Sequence, residues 1–148
     1  MIELVDLRYV HMGASSPDDA AKWAQEIYGL EEVARENGRI YLRGDDRDHN
    51  IVYFEGDPKD NTVGIEVADY DALDRAASHL DAHGVEVAWG DAEGAAIRRC
   101  MKYLSFKDPT GNKFDLVVRP FAAGVFNFFQ IRFARFFASF NNTLSNFS

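Results

Sequence analysis

A single cysteine, Cys100, stands in a chain of 148 residues. No internal disulfide can form, and with no neighbouring pattern that marks a nucleophile, Cys100 reads as a small buried apolar group. The start, Met1 to Asp6, lacks the basic stretch of a secretory signal, so a reducing cytoplasm is the expected setting. Positive charge is scarce: 16 Lys and Arg against 24 Asp and Glu give a net charge of −8. That balance argues against a nucleic-acid or anionic-membrane partner. No Gly-rich phosphate loop follows a strand, and no Ser/His/Asp spacing stands out.

Acidic residues are missing altogether after Asp115, while Arg119, Arg132 and Arg135 lie beyond it, so the chain carries −11 up to Asp115 and +3 after it. Nine of the twelve Phe also follow Pro120. This shift divides the chain into a body, 1–120, long enough for one core, and a Phe-rich tail, 121–148. From Val125 to Phe140, Phe126, Phe129, Phe133, Phe136, Phe137 and Phe140 fall on one side at helical spacing, predicting an amphipathic helix too interrupted by polar residues to span a membrane. Its Phe side is expected to dock on this chain or on a second copy, since six wet Phe are an aggregation hazard.

The body reads as strands and helices in a repeated order. Asp6 to Ala14 alternates as a strand, Ser15-Ser16-Pro17-Asp18-Asp19 opens a helix with Ala20, Trp23, Ala24 and Ile27 inward, and Gly29 stops it. Strands 31–36, 39–43 and 49–55 follow, the first two joined by the hairpin signal Asn37-Gly38. The second half repeats this: strand 62–67, helix 70–83 with Leu73, Ala76, Ala77 and Leu80 inward, then strands 85–89, 98–106 and 113–118. The turn Asp108-Pro109-Thr110-Gly111-Asn112 joins the last two. Two βαβββ modules, about 4–56 and 60–120, are the expected α+β architecture, forming an open, curled mixed sheet with the C-terminal aromatic amphipathic helix added. A ferredoxin-like domain would need fewer strands.

The order of Leu7-Arg8-Tyr9-Val10, Ile27-Tyr28-Gly29-Leu30, Asp48-His49-Asn50-Ile51-Val52-Tyr53, Gly64-Ile65-Glu66-Val67-Ala68-Asp69 and Asp108 to Val118 resembles the vicinal oxygen chelate superfamily, which includes glyoxalases, antibiotic-binding resistance proteins and extradiol dioxygenases. Most closely it resembles the amino-terminal domain of two-domain extradiol (catechol) ring-cleaving dioxygenases. The resemblance implies a concave face with candidates Tyr9, His11, Tyr53, Thr62, Glu66 and Asp115. Family members that work as enzymes hold Fe(II) or another divalent metal there, two His and one Glu in the extradiol case. The matching positions here are Tyr9, Thr62 and Asp115, with Tyr53 as the pseudo-symmetric counterpart, and only Asp115 is a ligand type. No metal cofactor is therefore expected in this chain.

The leading expectation is a domain non-catalytic on its own, because the metal ligands and the second domain of the resembled enzymes are missing. One alternative is a self-pairing module that encloses a small aromatic or antibiotic-like molecule, a homo-oligomer joined through the sheet or the Phe-rich tail. Another is a divergent lyase or isomerase of the glyoxalase kind with a relocated site at His11, Glu66 and Asp115. His79 and His83 have i,i+4 spacing, yet the stretch His79-Leu80-Asp81-Ala82-His83 lacks a metalloprotease Glu and reads as a solvated rim. The run Gly44 to Asn50 lacks the Gly and distant Glu of a calcium loop and reads as a polar turn.

Overall fold

The computed structural model describes residues 1–122. The Phe-rich segment expected to be helical lies outside the described residues. The elements are β1 (Leu4–Ala14), α1 (Pro17–Tyr28), β2 (Glu31–Glu36), β3 (Arg39–Arg43), β4 (Ile51–Glu55), β5 (Asn61–Val67), α2 (Tyr70–Ala82), β6 (Ala88–Trp89), α3 (Ala92–Arg98), β7 (Lys102–Lys107) and β8 (Lys113–Val118). All strands join one sheet in the order β2-β3-β4-β1-β5-β8-β7-β6. The order is the same read outward from its middle: β1 pairs β4 in parallel, β5 pairs β8 in parallel, and β1 and β5 meet antiparallel at the centre. The sheet is thus open and mixed, and the repeat in the sequence is a repeat in strand order.

Local chemistry explains the boundaries. Ser16 caps α1 by accepting from the Asp19 amide, Pro17 occupies its first turn, and Gly29 closes it in the left-handed region at φ 71°. Asp69 caps α2 by accepting from the Ala72 amide. In the turn before β8, the Asp108 carboxylate accepts from the backbone amides of Thr110 and Asn112 and from both their side chains. Those hydrogen bonds hold the Asp108 carboxyl down at about 2.

The outer face of the sheet is covered by α1 and α2. Between α2 and the sheet, Leu73, Ala76 and Leu80 of the helix pack with Val67, Leu104, Leu116 and Val118 of the strands. Between α1 and the sheet, Ala21 and Ala24 of the helix pack with Ala14, Ile40, Leu42 and Tyr53 of the strands. Here the α1 stripe departs from expectation: Ala21 and Ala24 are the buried positions, while Trp23 and Ile27 are exposed. Small alanines let the helix approach the sheet, and the indole packs edge-on against Tyr28 at the rim instead.

The second half also departs from a plain strand reading. Only Ala88–Trp89 of the expected 85–89 strand pairs with β7, and residues 92–98 form α3 instead of leading directly into a strand. The Asp91 carboxylate caps α3 by accepting from the Gly94 amide. Gly94 has a packing reason: a Cβ there would come within 2.0 Å of the Tyr103 hydroxyl, so only glycine lets the helix lie on that ring.

Candidate functional site

On the inner face, register brings Tyr9 of β1, Gly64 of β5, Asp115 of β8 and Ser105 of β7 into one row. A bulge between Leu7 and Tyr9 sets this register. The Tyr9 ring lies over Gly64, where a Cβ would meet ring carbon at 2.2 Å. Asp115 is fully buried and its carboxylate is saturated: Oδ2 accepts from Tyr9 Oη at 2.8 Å and from Arg98 Nε at 2.6 Å, and Oδ1 accepts from Ser105 Oγ at 2.6 Å. Arg98 arrives from the last turn of α3 and stacks on Tyr103, its Cζ 4.0 Å from the ring centroid. Burial would lower the Arg98 pKa, but the Asp115 charge prevails and raises it. Burial, with the Asp115 charge second, pushes the Tyr9 phenol well above its ordinary value.

A second ion pair lies on the first-module side of the same face. Arg99, left-handed at φ 53°, ends α3 and turns its guanidinium over Tyr41, 4.1 Å from the ring centroid. It donates to Asp48 at 3.0 Å and to Glu36 at 3.4 Å. Burial would raise the Asp48 carboxyl, yet the hydrogen bond from His49 and the charge of Arg99 outweigh it and the pKa is lowered. The Tyr41 hydroxyl donates back to the Ile97 carbonyl at 2.9 Å. The end of α3 therefore ties the two modules together across the inner face.

Between the two ion pairs sit His11 and His49, with ring centroids 5.9 Å apart. Both are buried, and the Nε2 atoms of both lack a hydrogen-bond partner among the described residues. Burial, then His49, Arg98 and Arg39, holds the His11 pKa well below its ordinary value. Burial lowers His49 also, against the opposing pull of the Asp48 carboxylate 3.0 Å from its Nδ1.

The residues singled out in the sequence are distributed as follows. Tyr9 and Asp115 meet directly. His11 lies in the next row, with Thr62 and Lys113. Glu66 lies on the other side of the Tyr9 row, opposite Asp6, with its carboxylate 3.5 Å from Arg8. Tyr53 does not share their face: it pairs with Met12 and Ile40 and packs under α1, while its neighbour Val52, opposite His11 and Tyr41, faces inward. A one-residue difference in register exchanges the two faces of a strand. Cys100 is buried and its thiol is pushed up to about 12 by burial. His79 and His83 are neighbours on the exposed end of α2, where His83 Nδ1 contacts the His79 carbonyl. The residues that shape the site most, Arg98, Arg99, Ser105, Asp48 and His49, were not singled out as site candidates. The one local signal was for the start of α3, the N-cap residue Asp91 ahead of Ala92 and Glu93; nothing local marked the two arginines at its end.

Among the described residues, no group of three or more His, Cys, Asp or Glu side chains is arranged to hold a metal ion, and no helix is long and apolar enough to cross a membrane. At the edge of the inner face, an open cleft of about 720 Å³ runs from Arg98, Ser105 and Asp115 out to the 108–109 turn.

An iron-dependent extradiol dioxygenase of Rhodococcus jostii (strain RHA1) is 31% identical over 116 residues, which are 74% of this chain and 37% of that protein. A crystal structure of catechol 2,3-dioxygenase superposes with a TM-score of 0.75 at 30% identity, over 82% of this chain and 41% of the other. A 2,2',3-trihydroxybiphenyl 1,2-dioxygenase from the dibenzofuran-degrading Sphingomonas wittichii strain RW1 superposes with a TM-score of 0.71 at 25% identity, over 81% of this chain and 42% of the other. The chain thus spans less than half the length of these relatives. Residues 7–116, most of the described sheet, match the model of one family, and the chain belongs to it: the Glyoxalase/Bleomycin resistance protein/Dioxygenase superfamily.

Proposed function

We propose that this chain is the non-catalytic half of an extradiol dioxygenase-like protein, holding no iron of its own and inactive on catechols alone. The observation that carries the reading is the saturated Asp115 carboxylate. A divalent ion in the row of Tyr9, Gly64 and Asp115 needs several free donors. It would meet a phenol held in its protonated form, a glycine with no side chain, and a carboxylate already occupied by Arg98, Tyr9 and Ser105. The donor set does not fit Fe(II): the Arg98 guanidinium supplies the positive charge that a metal would supply, and it cannot be lost as a proton-dependent ligand can.

The function then lies in scaffolding. The buried polar row fixes the inner face in one geometry, and the similarity to an iron-dependent relative more than twice as long supports a companion unit that carries the ring-cleaving chemistry. The test is elemental analysis of protein produced with ample ferrous iron, paired with oxygen uptake on catechol. The expected outcome is far less than one iron per chain and no uptake. Near-stoichiometric iron with oxygen consumption abolished by Asp115→Ala would overturn the proposal.

A second reading, a small-molecule-binding module that pairs with itself and encloses an aromatic ligand in the cytoplasm, is favoured by one observation, the open cleft of about 720 Å³ beside Asp115. That volume suits a small organic molecule. Light scattering across a wide concentration range tests the pairing.

A further inference from the structure

His79 lies in the last turn of α2 and His83 caps it, with ring centroids 4.4 Å apart. Spacing i,i+4 puts both side chains on one side of the helix, away from Leu73, Ala76 and Leu80. The end of the helix orients the second ring. The His83 amide donates to the Leu80 carbonyl, and the His83 ring reaches back so that its Nδ1 lies 2.7 Å from the His79 carbonyl. A carbonyl only accepts, so Nδ1 carries the proton and Nε2 carries the lone pair. Metal-binding histidines are commonly held in this way, one ring nitrogen donating to the backbone and the other left for the ion.

Apart from that bond and their mutual contact, neither ring has a hydrogen-bond or ion-pair partner among the described residues. The carbonyls of the last turn make this the negative end of the helix, which favours a cation. The positive charge of the amino terminus, followed by burial and His83, lowers the His79 pKa. A ring that resists protonation is available as a ligand at neutral pH. The same positive charge, with Arg75 one turn before His79, opposes any cation, so an ion held here has to be one that binds imidazole strongly.

We propose that His79 and His83 chelate one Cu(II) ion, through Nε2 of His83 and a ring nitrogen of His79, with water in the remaining positions. Cu(II) stands above Ni(II) and Zn(II) in affinity for such donors, and Fe(II) stands well below them. The site is separate from Asp115 and independent of the reading of the inner face. An ion held by both rings would staple the last turn of α2, where the amides of His83, Gly84 and Val85 close the helix on the Leu80 and Asp81 carbonyls.

Titration of the full chain with Cu(II), followed by calorimetry and by electron paramagnetic resonance, tests the site. One ion per chain is expected, with two imidazole nitrogens in its equatorial plane, and hydrogen exchange at residues 83–85 should slow as it binds. His79→Gln and His83→Gln should each weaken binding about tenfold or more, the advantage of a chelate over a single imidazole. His79→Gln combined with Ser78→His keeps two histidines but sets them on different sides of the helix, and should bind no better than His79→Gln alone. None of the three positions belongs to the buried core, so the variants are expected to fold. Affinity unchanged in both single variants would put the ion on the amino terminus and overturn the proposal. A spectrum with fewer than two imidazole nitrogens, or parental affinity in the respaced variant, would overturn it equally.

Discussion

Nε of Arg98 lies 2.6 Å from Oδ2 of Asp115, a carboxylate with no exposed surface, and the two come from a seven-residue helix and a strand at the heart of the sheet. Removing one member of a buried pair leaves the other charged in a dry site, whereas removing both does not. Arg98→Met is therefore expected to destabilise by about 3–5 kcal/mol, and Arg98→Met combined with Asp115→Leu to recover most of that loss. Urea titration of the four species in a double-mutant cycle checks it. A single variant as stable as the parent would mean that the pair does not hold the inner face.

The two buried histidines predict acid lability of definite sign. Their pKa values are depressed below the ordinary 6.5, so below that pH the unfolded chain takes up protons that the folded chain refuses. Stability should be flat just above pH 7 and fall as the pH drops below about 6.5, with a slope of up to about 2.7 kcal/mol per pH unit if both contribute one proton. His11→Gln should reduce the slope by roughly half. Thermal melts from pH 8 to pH 5 measure this; a melting temperature that rises on acidification would contradict it.

Gly64 and Tyr9 should behave as one unit. A Cβ at residue 64 would lie 2.2 Å from the Tyr9 ring, inside any tolerable contact. Gly64→Ala is expected to cost about 1–3 kcal/mol, the usual range for overpacking. In a Tyr9→Val background, with the ring gone, the same change should cost markedly less. Additive effects in the double variant would show that the two positions are uncoupled.

The body is expected to fold without the Phe-rich tail. The last described contacts are the Phe121 amide donating to the Arg99 carbonyl and a bridge between Ala122 and Arg47. A chain ending at Ala122 keeps both. It should melt in one cooperative transition; a dye-binding product with no such transition would place the tail in the core.

The order of elements along the first module and the inner-face position of Tyr9 and Asp115 were legible because alternation and turn chemistry are local. Asn37-Gly38 and the Asp108 turn fix hairpins, and period-two patterning sorts faces once a register is known. Tyr53 was misplaced because β4 is short and apolar from Ile51 to Phe54, and such a run has no alternation to reveal which side faces in. The helix α3 was obscured by Gly94 and by its seven-residue length, both signs that usually argue against a helix. With it went Arg98 and Arg99, whose partners lie 17 and 51 residues away in sequence. Pairing at such distances is a property of the folded sheet and has no local signature.

The cross-module bond made by α3 bears on how the two halves of this chain relate as building blocks. The strand order is symmetric, but only the second half has α3, and with it a buried guanidinium, Arg99, while the first half supplies the buried carboxylate Asp48. Two copies of the first half would bring together two buried carboxylates with no cation, and two copies of the second would bring together two guanidiniums with no anion. The halves have thus become complementary, like plug and socket, and neither can substitute for the other in a doubled version of the domain.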